Sequence, residues 1–172
     1  MAEKISSPAE LFAHELKDIY DAEHKLVEAL GTLAKETKDR EAKEAFESHR
    51  EETQNQIGRL DQIFEMIGKE PSRGEGCEGI DGLLEEKRSF GRKNPAPPVL
   101  EMFNLSAAAK TERYEITAYE SLIRLARNLG HEEAVDLLEE TLEEEETALE
   151  TVNGLAERRP AEAAESKTTR TS

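Results

Sequence analysis

The stretch PAELFAHELKDIYDAEHKLVEALGTL, residues 8–33, carries the pattern that decides the fold. Its buried-type positions alternate at spacings of four and three residues, with one glutamate in the series: Phe12, Leu16, Ile19, Glu23, Leu26, Leu30 and Leu33. This spacing predicts a single inward stripe on a long amphipathic helix. Ser7 supplies a capping hydroxyl, Pro8 suits the first helical position, and Glu10 completes a capping box.

A second helix is expected after a short break at 37–39, with Asp39 as its N-cap and Gly68 as its stop. Its stripe contains Phe46, His49, Thr53, Gln56, Leu60, Ile63 and Ile67. Prolines and glycines then interrupt residues 69–98, where only 80–90 has a short helical pattern. A stretch of this length predicts a crossover connection rather than a tight turn.

Two further long helices are expected at about 98–129 and 132–157, separated by Gly130. The third stripe is Phe103 or Asn104, then Ala108, Thr111, Glu115, Ala118, Leu122, Leu125 and Leu129. The fourth is Ala134, Leu138, Thr141, Glu145, Ala148, Val152 and Leu155. Two long hairpins joined by a long crossover predict an all-α, ferritin-like four-helix bundle over 1–159. The small polar residues of 160–172 predict a disordered tail.

Composition excludes several classes of function. The 172 residues include 23 Lys+Arg against 39 Asp+Glu, a formal net charge of -16. Such a surface repels phosphate backbones, so we expect no nucleic-acid partner. The apolar runs are too short to span a membrane, and the single cysteine, Cys77, excludes an internal disulfide framework. We therefore expect a cytoplasmic helical protein, and its long helices favour a homodimer.

An internal repeat relates the two hairpins. An offset of 92 residues aligns identical residues without a gap, among them Glu23 with Glu115, Leu30 with Leu122 and Glu52 with Glu144. This register predicts a pseudo-twofold arrangement of the hairpins.

Carboxylates interrupt every stripe near its middle. Glu23 stands between Ile19 and Leu26; the other helices carry His49 with Glu52, Glu112 with Glu115, and Glu144 with Glu145. Burying ionised carboxylates without partners is costly, and gathering like charges adds to that cost. Bound cations would offset both penalties.

The heights of these residues along the bundle agree with that interpretation. Glu23 and Glu52 are nearly equidistant from the first turn, as are Glu115 and Glu144 from Gly130. In antiparallel hairpins the four carboxylates then share one level, roughly 20 Å from the turns. This predicts a carboxylate-bridged site for two metal ions, with His49 as a nitrogen ligand. Oxygen-rich ligands with one imidazole favour iron or manganese.

A plainer interpretation stays open beside it. In a chain this acidic, a carboxylate near any stripe is expected, and the acidic run at 139–146 is typical of a solvated face. His49 is equally compatible with a core histidine bonded to a neighbour. Tyr119 fits a packing role or a hydrogen bond to a ligand carboxylate.

Several motifs together resemble the YciE/YciF-like family of bacterial ferritin-like stress proteins. They are LKDIYDAE at 16–23, HREET at 49–53 with Gln56, Arg59 and Leu60, CEGIDGLL at 77–84, ERYE at 112–115 with Tyr119, and TLEE at 141–144. The resemblance implies a ferritin-like bundle, a dinuclear metal site, a dimer and induction under stress. It implies Glu23, Glu52, Glu115 and Glu144 as ligands, with His49 and Glu112 as adjacent candidates.

This sequence departs from the family pattern in two respects. Arg113 replaces the histidine of the family's frequent Glu-His-Tyr-Glu pattern. The Glu-x-x-His order usual in di-iron proteins is absent, because Asn55 follows Glu52 by three residues and Thr147 follows Glu144. The predicted site is therefore poor in nitrogen ligands.

Two functions are compatible with the sequence. The first is a metal-dependent oxidoreductase with ferroxidase or peroxide-decomposing activity at two iron or manganese ions. The second is a non-catalytic dimeric scaffold in a stress response, with structural metal or none. No sequence feature indicates the inner surface of a storage shell like that of ferritin.

Overall fold

The computed structural model describes residues 4–168, with side chains described as far as Arg158. In chain order the helices of this part are α1 (Pro8–Glu36), α2 (Arg40–Met66), α3 (Glu78–Gly91), α4 (Pro97–Leu129) and α5 (Glu132–Thr168). These residues contain no strand, which confirms the predicted all-α class. No helix among them has the length and apolar character needed to cross a membrane.

The helix ends follow the local signals in the sequence. Ser7 Oγ accepts from the Glu10 amide at 3.2 Å, and Glu10 Oε2 accepts from the Ser7 amide at 3.0 Å, so the capping box forms. Asp39 accepts from the Ala42 amide at 2.7 Å and begins α2. Gly130 ends α4 in the left-handed conformation, with a φ of 74°, which a side chain at this position would disfavour.

The last helix is longer than the sequence predicts. The bundle was expected to end near residue 159 and the tail to be disordered, but helical backbone continues to Thr168. Alanine and glutamate dominate 161–166, and both are strong helix formers, so the residues after Pro160 favour helix. The rest of the predicted tail, 169–172, lies outside the described residues.

The long helices pack as two antiparallel hairpins. α1 packs on α2 and α4 packs on α5, while α1 also contacts α4 and α2 contacts α5. The short helix α3 belongs to the crossover and lies against α4 and α1. This is the ferritin-like arrangement that the sequence predicts. The structure describes one chain, so the expected homodimer stays a prediction.

The buried stripes follow the predicted spacing, with one shift. Every predicted stripe position of α5 is buried. On α4 the predicted stripe is partly wrong. It omits Glu112, Tyr119 and Ala126, which are buried, and it includes Thr111 and Ala118, which are only half-buried. α4 packs against α1, α3 and α5, so its flanks are covered and periodicity alone does not locate the most buried line.

The apolar core forms two separate clusters along the bundle. The larger includes Phe12, Leu16, Leu60, Phe64, Leu122 and Leu138; the smaller includes Leu30, Leu33, Phe46, Leu105, Val152 and Leu155. On α2, α4 and α5, the residues between the two clusters carry buried polar side chains. A polar layer therefore divides the apolar interior.

Asp21 anchors the crossover to α1. Asp21 is only 3% exposed. Its carboxylate accepts hydrogen bonds from Arg73 Nε at 2.6 Å and from the Cys77 amide at 2.8 Å. Lys25 Nζ lies 2.6 Å from Asp21 and 2.6 Å from Asp81 on α3. Burial alone would raise the pKa of Asp21, but hydrogen bonds from Lys25, Cys77 and Arg73 outweigh it and lower the pKa.

The start of α3 fits tightly against α4. A Cβ atom at Gly79 would lie 2.6 Å from Cε2 of Tyr114, closer than atoms can pack. The Tyr114 ring is also held by its hydroxyl, 3.0 Å from Sγ of buried Cys77. Gly79 thus permits the close approach of the two helices.

Replacing Gly79 tests that approach. Gly79→Ala should lower the free energy of unfolding by about 1–3 kcal/mol, the usual cost of overpacking. Gly82→Ala on the same helix is the matched control, since its added Cβ meets nothing within 4 Å. It should raise stability by up to about 1 kcal/mol, because alanine favours helix. Urea unfolding measures both, and equal effects would contradict the packing.

The Asp21 anchor predicts a pH-dependent effect. Asp21→Asn should cost about 1.5–3 kcal/mol of unfolding free energy at pH 7, as charged hydrogen bonds are lost. Because its pKa is lower in the folded chain, the carboxylate stabilises the fold above the unfolded pKa of about 4. That contribution declines as the pH falls through the folded pKa, and the difference from wild type should shrink accordingly.

Asp18→Asn provides the control for the same helix. Its carboxylate lies 3.8 Å from the partly exposed His14, and we expect a change within about 0.5 kcal/mol. Denaturant titrations from pH 7 down to pH 3 compare the two variants. A difference between Asp21→Asn and wild type that stays constant over this range would refute the anchor.

Candidate metal centre

Five ionisable side chains meet at the polar layer, four of them between the two apolar clusters and one, from α1, at the edge of the larger cluster. α1 contributes Glu23, α2 contributes His49, α4 contributes Glu112 and Glu115, and α5 contributes Glu145. His49 is 8% exposed and the carboxylates are 2% exposed or less. All five therefore lie largely away from bulk water, where unpaired charge is costly.

These side chains form two groups that share one member. The first group is His49, Glu112 and Glu145, and the second is Glu23, Glu115 and Glu145. Within each group, the candidate ligand atoms all lie within 4.8 Å of one another. A carboxylate common to both groups has the position that a bridging ligand between two cations requires.

His49 connects the buried layer to the outside of the bundle. Its Nε2 lies 3.2 Å from Glu112 Oε2 and 3.5 Å from Glu145 Oε2. Its Nδ1 lies 3.2 Å from Oε2 of Glu52, which is half-exposed. A carboxylate on one ring nitrogen orients the imidazole and leaves the other nitrogen facing the acidic group.

Tyr119 orients the carboxylate from α1. Its hydroxyl, fully buried one turn beyond Glu115, donates to Oε1 of Glu23. The structure therefore confirms both roles that the sequence allows for Tyr119, because its ring packs in the larger apolar cluster and its hydroxyl bonds a carboxylate of the acidic cluster. Such an outer partner fixes the orientation of a ligand carboxylate.

Burial shifts the proton affinities of the cluster. It raises the pKa of Glu23 to about 7, despite the opposing hydrogen bond from Tyr119. Burial and the neighbouring carboxylates raise the pKa of Glu115 well above its usual value, and burial raises that of Glu145. Burial alone would lower the pKa of His49, but Glu112, Glu52 and Glu145 raise it well above the usual value. The groups of this layer therefore hold protons more tightly than exposed groups of the same type do.

The unpaired oxygens of the layer fit bound cations. Oε2 of Glu23 and both carboxylate oxygens of Glu145 are buried without a hydrogen-bond partner among the described residues. Buried acceptors without partners are rare and expensive. Four carboxylates with one imidazole form an oxygen-rich donor set, which suits iron or manganese better than zinc or copper.

Glu52 and Glu144, two of the six predicted ligands, lie outside both groups. Glu52 contacts the far side of His49. Glu144 instead forms a bidentate ion pair with Arg59, at 2.7 and 2.8 Å, and accepts from Gln56 Nε2 at 2.9 Å. These bonds lower the pKa of Glu144 against the raising effect of burial. Arg59 therefore already supplies the charge that this carboxylate needs.

Glu145, absent from the predicted ligand set, is the residue that both groups share. The signal was present in the sequence, because Glu145 occupies an inward stripe position on α5 and Glu144 lies beside it. The repeat favoured Glu144 by pairing it with Glu52. The repeat partner of Glu145 is Thr53, whose hydroxyl donates to the His49 carbonyl. The site is thus not symmetric between the hairpins.

Arg113, which replaces the histidine frequent in the family, lies outside the buried cluster. The residue is exposed on α4, between buried Glu112 and half-buried Tyr114. Its side chain is not part of either acidic group. A histidine at this position of this chain would therefore face away from the buried cluster.

One cavity reaches the centre. It has a volume of about 120 Å³, lies between α2 and α5, and is lined by His49 and Glu112 together with Glu52. The larger cavity, about 340 Å³ between α1, α3 and α4, is lined by none of the five clustered residues.

Known proteins are similar to this chain in sequence and in fold. Residues 7–165 match the family described as a domain of unknown function, DUF892. Protein YciF from Escherichia coli strain K12 is 39% identical over 136 residues, which cover 79% of this chain and 82% of YciF. The crystal structure of the E. coli stress protein YciF superposes with a TM-score of 0.86 and 35% identity, covering 91% of this chain and 99% of YciF.

A second solved structure agrees. YcfI from Rhodopseudomonas palustris has a TM-score of 0.85 and 37% identity, covering 89% of this chain and 97% of YcfI. Both the family match and the identity to YciF extend over most of the sequence. The chain therefore belongs to the DUF892 family and is a relative of the stress protein YciF.

Proposed function

We propose that this chain is a stress-response protein that binds two iron or manganese ions in the polar layer and reacts there with peroxide or dioxygen. The observation that carries the proposal is the buried Glu145 carboxylate, whose two oxygens have no hydrogen-bond partner in the described chain and which belongs to both groups. The name of the solved relative, a stress protein, supports the stress response.

Charge balance supports two cations rather than one. Two divalent ions would balance the four buried carboxylates, and each group offers ligand atoms close enough to converge on one ion. Glu145 would contact both ions and keep them adjacent. Binding would release the protons that the raised pKa values hold in the layer.

The bound metals would supply redox and Lewis-acid chemistry. The protein's own residues orient the ligands and exclude water. Tyr119 holds one oxygen of Glu23 and leaves the other to a cation. Glu52 holds Nδ1 of His49 and leaves Nε2 directed at Glu112 and Glu145. The apolar clusters on either side restrict the contact of the layer with bulk water, and the cavity beside His49 connects it to solvent.

The cavity offers a small molecule a way to approach the centre. It has a volume of about 120 Å³ and is lined by His49 and Glu112 at its buried end. Peroxide and dioxygen are small enough to enter such a space, which supports a small oxidant as the reaction partner.

A non-catalytic scaffold, with structural metal or none, is the second candidate. The raised pKa values of Glu23, Glu115 and Glu145 favour it, because protonated carboxyls can be buried without a cation. In this case the layer would fix the register of the four helices and perform no chemistry.

A pair of adjacent substitutions tests the metal centre. Wild-type protein loaded anaerobically with Fe²⁺ and desalted should retain about two ions per chain. Glu145→Gln should retain fewer than half of them, since both groups lose their shared carboxylate. Glu144→Gln, the matched control, should retain the full amount while losing stability with the Arg59 ion pair. Elemental analysis measures the content, and a loss on Glu144→Gln alone would reverse the assignment.

Peroxide consumption distinguishes the two candidate functions. Iron-loaded wild-type protein should consume hydrogen peroxide, and Glu23→Gln with Glu115→Gln should reduce the rate by at least about 100-fold. Glu28→Gln with Glu120→Gln changes the same charge on the exposed surface of α1 and α4 and should leave the rate unchanged. If the wild-type protein holds two ions but consumes neither peroxide nor dioxygen, the result supports the non-catalytic scaffold.

A further inference from the structure

We infer that cations reach the centre through an opening between α2 and α5, and that the Glu52 carboxylate draws them into it. This inference rests on the proposed function, since it concerns how the proposed site is filled. It also gives Glu52 a role in transit rather than as one of the ligands that hold the ions.

The cavity between α2 and α5 has a buried end and an exposed end. His49 and Glu112, both buried members of the first group, line the inner end. Ser48, Thr147 and Thr151 line it at positions that face solvent. A continuous space of about 120 Å³ therefore joins solvent to the first group of ligands.

Side-chain size explains why the seam is open at this height. Small side chains from both helices line the cavity, Ala45 and Ser48 from α2 and Thr147 and Ala148 from α5. Further along the same seam, Arg59 closes the gap by its bidentate contact with Glu144. The opening is therefore confined to one stretch of the seam, next to His49.

Glu52 has the position and charge to capture a cation at the opening. Its side chain is 43% exposed, and its Oε2 lies 3.2 Å from Nδ1 of His49. It therefore contacts both solvent and the residue whose other nitrogen faces the acidic group. A negative charge in a narrow cleft concentrates counter-ions and raises their association rate.

The larger cavity is a poor alternative route for cations. It contains none of the five clustered residues, and its lining is positive on balance, with Lys25, Lys87 and Arg88 against Glu28 and Asp81. Positive side chains at an opening repel an approaching cation. The charges of the two cavities therefore favour the smaller one.

The test compares the rate of metal uptake with the final amount bound, using Co²⁺ alone as the probe and its visible absorbance as the signal. Thr147→Leu with Thr151→Leu should fill the opening and slow uptake by at least about tenfold, with about two ions still bound at the end. Thr32→Leu with Thr117→Leu is the matched control. All four threonines are exposed and bond the carbonyl four residues earlier.

Glu52→Gln keeps an oxygen for His49 but removes the charge. Uptake should slow by about two- to tenfold, with a weaker dependence on salt. Glu51→Gln makes the same charge change on α2 without lining the cavity, and its uptake should match that of wild type.

The uptake rates and the final metal contents distinguish a failure of the proposed route from a failure of the proposed metal centre. Wild-type rates in both the filled-opening variant and Glu52→Gln would overturn the route while the bound metal upholds the proposed centre. A lower final amount in the filled-opening variant would also overturn it, because Thr147 and Thr151 would then help to hold ions instead of only bordering their path. Wild-type protein that binds neither Co²⁺ nor Fe²⁺ would refute the centre itself.

Discussion

The structure depends on one constraint, which is the burial of four carboxylates and an imidazole in a single layer of the bundle. Two apolar clusters flank that layer and provide the burial that holds the helices together around it. The layer itself is unfavourable unless protons or cations neutralise it. The raised pKa values of Glu23 and Glu145 indicate neutralisation by protons, and the oxygens of these residues that accept no hydrogen bond indicate neutralisation by cations.

The two hairpins repeat in sequence but contribute unequally to the centre. The second hairpin supplies Glu112, Glu115 and Glu145, while the first supplies Glu23 and His49. The surrounding polar residues also differ. Tyr119 and Glu52 orient ligands, and Arg59 satisfies Glu144 on the flank of the layer. The sequence repeat between the hairpins is thus compatible with a centre whose two groups differ. His49 and Glu112 of the first group line the solvent-connected cavity, whereas Glu23 and Glu115 of the second group do not.

Periodicity and capping signals predicted the helices, the hairpins and the level of the polar layer, because these depend on local spacing. The choice between Glu144 and Glu145 depended on a long-range contact, since Arg59 lies on another helix and its partner cannot be deduced from spacing. The covered flanks of α4 likewise depend on α3, which packs from the crossover. Within this chain, the inward stripe was a better guide to the buried carboxylates than the internal repeat.

The most direct test of the central claim is a crystal structure of the Mn²⁺-loaded protein with anomalous difference maps. The account predicts two peaks per chain, on either side of the Glu145 carboxylate, one next to His49 and Glu112 and the other next to Glu23 and Glu115. Maps without peaks in this layer, or with peaks at Glu144 and other surface carboxylates alone, would contradict it.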